Sequence, residues 1–233
     1  MNILFVQSEY NPTHGGVQRV SKILFDFFSE NNICCYFLLM DGHNNNNSNL
    51  DASIFRIITP RNYDHIAQFV KEKKIDIIIN QHLYHPFLIS FYKKMKMENQ
   101  HLTILNVFHN TPDDFKHFIH PFIYKIHDIV KQLIRQKTRQ QLVSEMYNVT
   151  DGMVLLSSSY KDIFLKCYEV DAGDKIHIIP NPLTYKVDAS EVNIERKEKV
   201  VLVASRLAAQ KNLLSLLRIW KRVEKENSDF LFR

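Results

Sequence analysis

The residues best suited to chemistry fall at three places in the chain. HGGVQR at 14–19 sets Gly15 beside Gly16, between the apolar run NILFVQSEY and the helical pattern SKILFDFFSE, in a chain with only five glycines. Glycines at a strand-to-helix junction let a backbone approach a ligand, and the free N–H groups that open the next helix favour an anion. A plain tight turn is the competing account. His109, in VFHNTP, follows the apolar run TILNVF and so falls at the end of a strand. A histidine there either contacts a ligand or serves as a capping or core side chain. Arg206 and Lys211 lie five apart in VLVASRLAAQKNL (201–213), on the loop between a strand pattern and a helix pattern. A guanidinium fork and a mobile ammonium can converge on one anion, or stand as two solvated loop cations.

Two other chemistries fit less well. His109, Asp113, Asp114, His117 and His120 crowd one segment, with His117 and His120 at i, i+3. Zinc sites use spacings such as H-E-x-x-H or paired C-x-x-C, and neither occurs here. Pro121, directly after His120, also argues for a helix break. No metal and no other cofactor is expected. A dinucleotide site needs G-x-G-x-x-G in a short loop followed by an acid near the end of the second strand, a place Asp41 can fill. The glycine spacing is missing, and about eight residues separate the first strand from Gly15, too long a loop for that fingerprint.

The elements that must position these residues alternate along the chain. Short runs apolar on both faces, NILFV (2–6), ICCYFLLM (33–40), FRII (55–58), DIIIN (76–80), TILNVF (103–108), GMVLL (152–156) and KIHII (175–179), predict strands. Between them lie the helical patterns VQRVSKILFDFFSE, YDHIAQFVKEKK, PFLISFYKKMKM, a long stretch from Pro121 to Tyr147, and SYKDIFLKCY. Strands buried on both faces and separated by helices predict a parallel sheet covered on both sides, a doubly wound, Rossmann-like α/β domain. In such sheets ligands bind beyond the carboxyl ends of the strands, where Gly15, Gly16 and His109 fall. NNNNS at 44–48 predicts a solvated surface loop.

After Pro180 the texture changes. NPLTYKVDASEVNIERKEK is polar and aperiodic, which gives a first domain over 1–180 and a linker over 181–198. KVVLVA (199–204), NLLSLLRIWKRVEKE (212–226) and DFLF (229–232) then restart the alternation, so that 199–233 is the opening β-α-β unit of a second domain. A lone unit of this kind cannot cover its own apolar faces. The expectation is a truncated second domain, or one completed by another chain or by self-association.

Length allows one whole α/β domain but not two, and a 45% hydrophobic fraction suffices for its core. The net charge of +5 leans mildly towards anionic partners. Cys34, Cys35 and Cys167 are odd in number, and adjacent cysteines do not form a disulfide framework, which favours a reducing compartment. With no apolar run of membrane-spanning length and no signal-peptide pattern, a cytoplasmic location is expected. The stretch 122–143 is basic and amphipathic, with Lys125, Lys131, Arg135, Lys137 and Arg139 among apolar residues at helical spacing. It is either a surface helix packing its apolar side on the core or a peripheral contact with anionic lipid at the inner face of a membrane. No nucleic-acid reader motif is present, and nucleic acid is not an expected partner.

Three segments carry a resemblance to a known family. GGVQR resembles the GGxER-type loop of family 4 glycosyltransferases, enzymes with the two-domain GT-B fold, with Gln18 where an acid is commoner. HIIPNPL (177–183) is similar to the I-P-N-G segment with which that family leaves its N-terminal domain, Pro182 replacing the glycine. VLVASRLAAQKNL resembles the V-G-R-L-x-x-x-K-N segment that opens the C-terminal domain. Ser205 takes the glycine's place there, and Arg206, Lys211 and Asn212 keep the family's spacing. The three stand in the family's order and span nearly the whole chain.

The resemblance implies a retaining transfer of a sugar from a nucleotide-sugar donor to a glycan or lipid-linked acceptor, in surface polysaccharide synthesis, without a metal. It implies that Arg206 and Lys211 hold the donor's diphosphate, that His109 makes a polar contact to the sugar, and that Gly15, Gly16, Arg19 and Asn181 line the substrate. The leaving phosphate itself is expected to take the acceptor's proton. The family's paired glutamates for the donor's sugar and ribose lie beyond the first helix of the second domain and are not in this chain. The chain alone is therefore expected to be inactive and to bind nucleotide diphosphates weakly. The alternative is a non-catalytic acceptor-binding or scaffold module of the same fold that needs a partner.

Overall fold

The computed structural model describes residues 1–11, 15–40, 54–56, 63–82, 84–113, 126–183, 188, 190, 193–205, 207 and 211–232. The chain divides into two compact units, Met1–Thr184 and Tyr185–Arg233. That boundary falls inside the polar stretch 181–198.

The first unit runs β1 (Asn2–Gln7), α1 (Gly16–Glu30), β2 (Cys34–Leu39), β3 (Ile54–Arg56), α2 (Tyr63–Glu72), β4 (Ile77–Asn80), α3 (Pro86–Glu98), β5 (Thr103–Phe108), α4 (Ile126–Val149), β6 (Gly152–Leu155), α5 (Tyr160–Tyr168) and β7 (Ile176–Ile178). The seven strands form one parallel sheet in the order β3-β2-β1-β4-β5-β6-β7. This is a Rossmann-like doubly wound fold, with the winding reversing between β1 and β4. Each apolar run delivers its strand, usually a residue or two shorter than the run. Of FRII, residues 57 and 58 lie outside the described residues, as do the first residues of the long helical stretch, 121–125.

Alternation in β1 shows why both faces are apolar. Leu4 and Val6 pack with Ile66, Phe69 and Val70 of α2 and with Leu88, Phe91, Tyr92 and Met95 of α3. Ile3 and Phe5 point the other way, joining Phe37 and Leu39 against Leu24, Phe25 and Phe28 of α1. Phe37 stacks on both Phe5 and Phe25, each at 5.2 Å between ring centroids. A third cluster gathers Phe108, Val143, Tyr147, Phe164 and Tyr168 where α4 and α5 meet the far half of the sheet. Burial of each such side chain contributes roughly 1.5–3 kcal/mol.

Two polar ties anchor β5, one near each end. Asp151 accepts the Ile104 backbone N–H at 2.8 Å while pairing with Lys96 of α3. The buried Tyr168 hydroxyl donates to the Pro112 carbonyl at 2.9 Å, fixing the segment just after His109.

The second unit holds a 3₁₀ turn at Ile194–Arg196, then β8 (Val200–Val201), α6 (Leu213–Glu226) and β9 (Leu231–Phe232), with β8 and β9 parallel. Trp220 stacks on Phe232 at 5.1 Å. The strands expected over 199–204 and 229–232 contract to two residues each. A ladder of two short strands lacks neighbours to extend it, and no residue of α6 is buried.

Candidate functional site

The point where a doubly wound sheet reverses opens a crevice at the carboxyl ends of its strands, because the helices on either side diverge there. Here the reversal lies between β1 and β4, and three strands deliver polar residues to that edge: Gln7 and Ser8 at the end of β1, Asn80, Gln81 and His82 at the end of β4, His109 after β5. Several hydrogen bonds tie these residues together. The Ser8 hydroxyl lies 2.9 Å from His82 Nδ1, and Gln7 Nε2 donates to the Glu9 carbonyl at 2.8 Å. Asn80 and Asn106, paired in register, join through their amides inside the sheet. Asn80 Oδ1 also accepts the His82 backbone N–H at 3.2 Å. His109 Nε2 is hydrogen-bonded to Gln81 Oε1. Burial pushes the His109 imidazole down to about pKa 4, so that it is neutral at physiological pH.

The glycine loop enters the same edge from β1. Gly15 caps α1 with φ −170 and ψ 172, extended backbone that any residue adopts, and no described glycine has a positive φ. Turn chirality therefore does not account for the pair. A Cβ added at Gly16 would meet nothing within 4 Å, whereas one at Gly15 would meet Gln18 Oε1 at 2.6 Å, the movable end of a side chain. Open space over Gly16 is the condition a closely approaching ligand needs. The helix opens with no side-chain cap bond and no acid in its first turn, leaving its positive end uncompensated by its own residues. Gln18, standing where the resembling family has an acid, reaches Glu9 Oε1 at 3.4 Å and ties the helix start to the end of β1. Arg19 is exposed one turn in, its backbone N–H bonded to the Gly15 carbonyl at 3.2 Å.

Asn181 lies exposed past β7, on the same edge but at the border strand. Four strand spacings separate β7 from β1, about 19 Å at the usual inter-strand distance, so Asn181 is not brought next to the β1–β4 crevice. Lys211 belongs to the second unit. It is exposed and directly precedes Asn212, which takes the left-handed conformation (φ 47, ψ 43) and starts α6 by accepting the Ser215 and Leu216 N–H groups. No acid stands in the first turn of α6, so Lys211 and the helix terminus present positive charge together. Arg206 lies outside the described residues, as do Asp114, His117 and His120.

Gln7, Ser8, Gln81 and His82 escape a reading of the sequence for reactive motifs. Their signal was nevertheless present: three apolar runs end in polar residues, VQS, INQH and VFHN, at the carboxyl end where a parallel sheet binds ligands.

No family model and no curated protein matches this chain. Solved structures do. The lipopolysaccharide outer core galactosyltransferase WaaB in its apo form superposes with a TM-score of 0.58 at 17% identity, covering 89% of this chain and 53% of its own. A S. aureus TarM mutant in complex with fondaparinux, alpha-GlcNAc-glycerol and UDP gives 0.58 at 12% identity, over 99% of this chain and 71% of its own. An alpha-glucosyltransferase in complex with UDP and a 13-mer DNA containing a HMU base gives 0.54 at 15%, over 90% and 50%. The chain thus has the Rossmann-like α/β fold found in these glycosyltransferases and spans about half the length of WaaB.

Proposed function

We propose that this chain serves glycosyl transfer of the family 4, GT-B type: a sugar moves, with retention of configuration, from a nucleotide-sugar donor to a glycan or lipid-linked acceptor in surface polysaccharide synthesis. The bond from the anomeric carbon to the diphosphate breaks, the acceptor oxygen bonds to that carbon, and its proton passes to a leaving-phosphate oxygen. Charge develops on that phosphate, and fixed positive charge stabilises it; Arg206 and Lys211 have that role. Neutral His109 contacts the sugar, and the loop at Gly15, Gly16 and Arg19 lines the substrate. No metal takes part.

The observation that carries this reading is the polar edge itself. Gln7, Ser8, Gln81, His82 and His109 converge on the reversal point of a sheet whose fold is that of solved glycosyltransferases. Lys211 at the uncompensated start of α6 supports the diphosphate role. A cytoplasmic enzyme peripheral to the membrane fits Ile134, 61% exposed beside exposed Arg135 and Lys137 on α4. Among the described residues no helix is long and apolar enough to cross a bilayer.

Calorimetric titration of the chain with UDP-, GDP- and ADP-sugars tests the reading. Weak binding of at least one donor is expected, lowered about tenfold or more in Lys211→Ala, since a hydrogen bond to a charged group contributes on the order of 1.5–3 kcal/mol. Binding of none, or binding indifferent to the substitution, contradicts it. Binding of a glycan acceptor without any donor selects the non-catalytic module instead.

A further inference from the structure

The edge of β1, β4 and β5 holds two amides and an imidazole whose hydrogen-bond polarity can be followed from one strand to the next. Gln7 is 1% exposed and Gln81 5% exposed. Gln7 Nε2 donates to the Glu9 backbone carbonyl. A backbone carbonyl only accepts, so the orientation of the Gln7 amide is fixed and its Oε1 is left as an acceptor. That Oε1 is buried and has no partner among the described residues; the same holds for Gln81 Nε2. One orphan is an acceptor and the other a donor. They belong to adjacent parallel strands, each one step beyond the paired Val6 and Asn80, with the Gln81 N–H already bonded to the Val6 carbonyl at 2.7 Å.

The two atoms are not bonded to each other in the structure, but a hydrogen bond from Gln81 Nε2 to Gln7 Oε1 would satisfy both orphans, which otherwise bear the desolvation cost of buried unpaired groups. Such a bond would agree with the other end of Gln81, whose Oε1 is the partner of His109 Nε2. With the Gln81 amide turned over, neither oxygen could donate to the other and Gln7 Oε1 would gain no partner from it. An amide oxygen can only accept, so the ring nitrogen opposite it carries the proton.

We propose that Gln81 Nε2 donates to Gln7 Oε1 and that Gln81, so held, is a positioning residue that keeps His109 in the tautomer protonated at Nε2 and leaves Nδ1 as the ring's acceptor. Burial acts in the same direction by keeping the ring neutral, and a neutral imidazole has one donor and one acceptor nitrogen. The consequence for substrate rests on the glycosyltransferase reading: an acceptor nitrogen suits a hydroxyl that donates, which is how a sugar would be held by His109.

The test is the tautomer itself, read by long-range ¹⁵N–¹H correlation spectra of histidine-labelled chain near neutral pH, with His109→Gln used to assign the signal. The wild type is expected to show the Nε2–H pattern. Gln81→Met, which removes the acceptor, should raise the Nδ1–H population several-fold. Gln81→Glu, which keeps an acceptor opposite Nε2, should restore the wild-type tautomer. A wild-type ring protonated at Nδ1 overturns the proposal, and so does a natively folded Gln81→Met with an unchanged tautomer. Should Gln81→Met fail to fold, the wild-type and Gln81→Glu spectra decide, the Nδ1–H form in either being contrary. No donor is present in this experiment, so a failed donor titration would remove the glycosyltransferase reading and leave the tautomer result standing.

Discussion

The two units repeat the same β-α-β motif with opposite outcomes. In Met1–Thr184 every strand but the two at the edges, β3 and β7, has a neighbour on both sides, and Leu4, Phe5, Ile78, Ile104 and Phe108 are wholly buried. In Tyr185–Arg233 the motif occurs once. There Leu202, Leu214, Leu217 and Ile219 stay 74%, 70%, 52% and 59% exposed, although α6 is as clearly amphipathic as any helix of the first unit. Amphipathic pattern selects an element, whereas burial depends on how many neighbours the sheet supplies.

Truncation of core side chains breaks this comparison most severely. Phe164→Ala, which empties a fully buried position between Phe108, Tyr147 and Tyr168, should cost about 3–5 kcal/mol in denaturant unfolding of the first unit. Leu214→Ala on α6 should change stability by less than about 0.5 kcal/mol. Equal losses at the two sites would mean that α6 is packed as tightly as α5.

A pH titration sharpens the contrast from the side of charge. His109 is held near pKa 4 by burial in the first unit, against 6.5 when exposed, so the unfolded chain binds the extra proton between those values. Stability contributed by keeping the ring neutral is fully present above about pH 6.5 and is lost as pH falls towards 4, at most about 3 kcal/mol from this group. His109→Gln should flatten the acid limb of the stability curve by that amount. An unchanged slope would show that the ring titrates normally. Lys211 in the second unit is exposed and should leave the same limb untouched on replacement by alanine.

Much of the first unit was legible because its strands are continuous apolar runs, as in ICCYFLLM and DIIIN, which a doubly covered parallel sheet requires. The sheet order was not legible, since nothing in the runs says which strands are neighbours. The second unit's strands were over-extended for a related reason: VVLVA has the composition of a buried strand, and only the partner ladder decides how much of it pairs. At the candidate edge, Gly15, Gly16 and His109 could be singled out from their types and positions after strands. Gln7 and Gln81 could not, because a glutamine's role here depends on which atoms face each other across β1, β4 and β5. Asn181 shows the reverse: its segment matched a family pattern, yet the sheet order sets it about four inter-strand spacings from β1.

Hydrogen exchange measured with and without UDP-, GDP- and ADP-glucose tests most directly whether the edge at β1, β4 and β5 is the ligand site. Slower exchange is predicted at residues 15–20, 80–82 and 108–111 with at least one donor, together with the start of α6, while the helices α2 and α5 away from that edge stay unchanged. Exchange at the edge that no donor alters, or protection confined to the opposite ends of the same strands, would contradict the account.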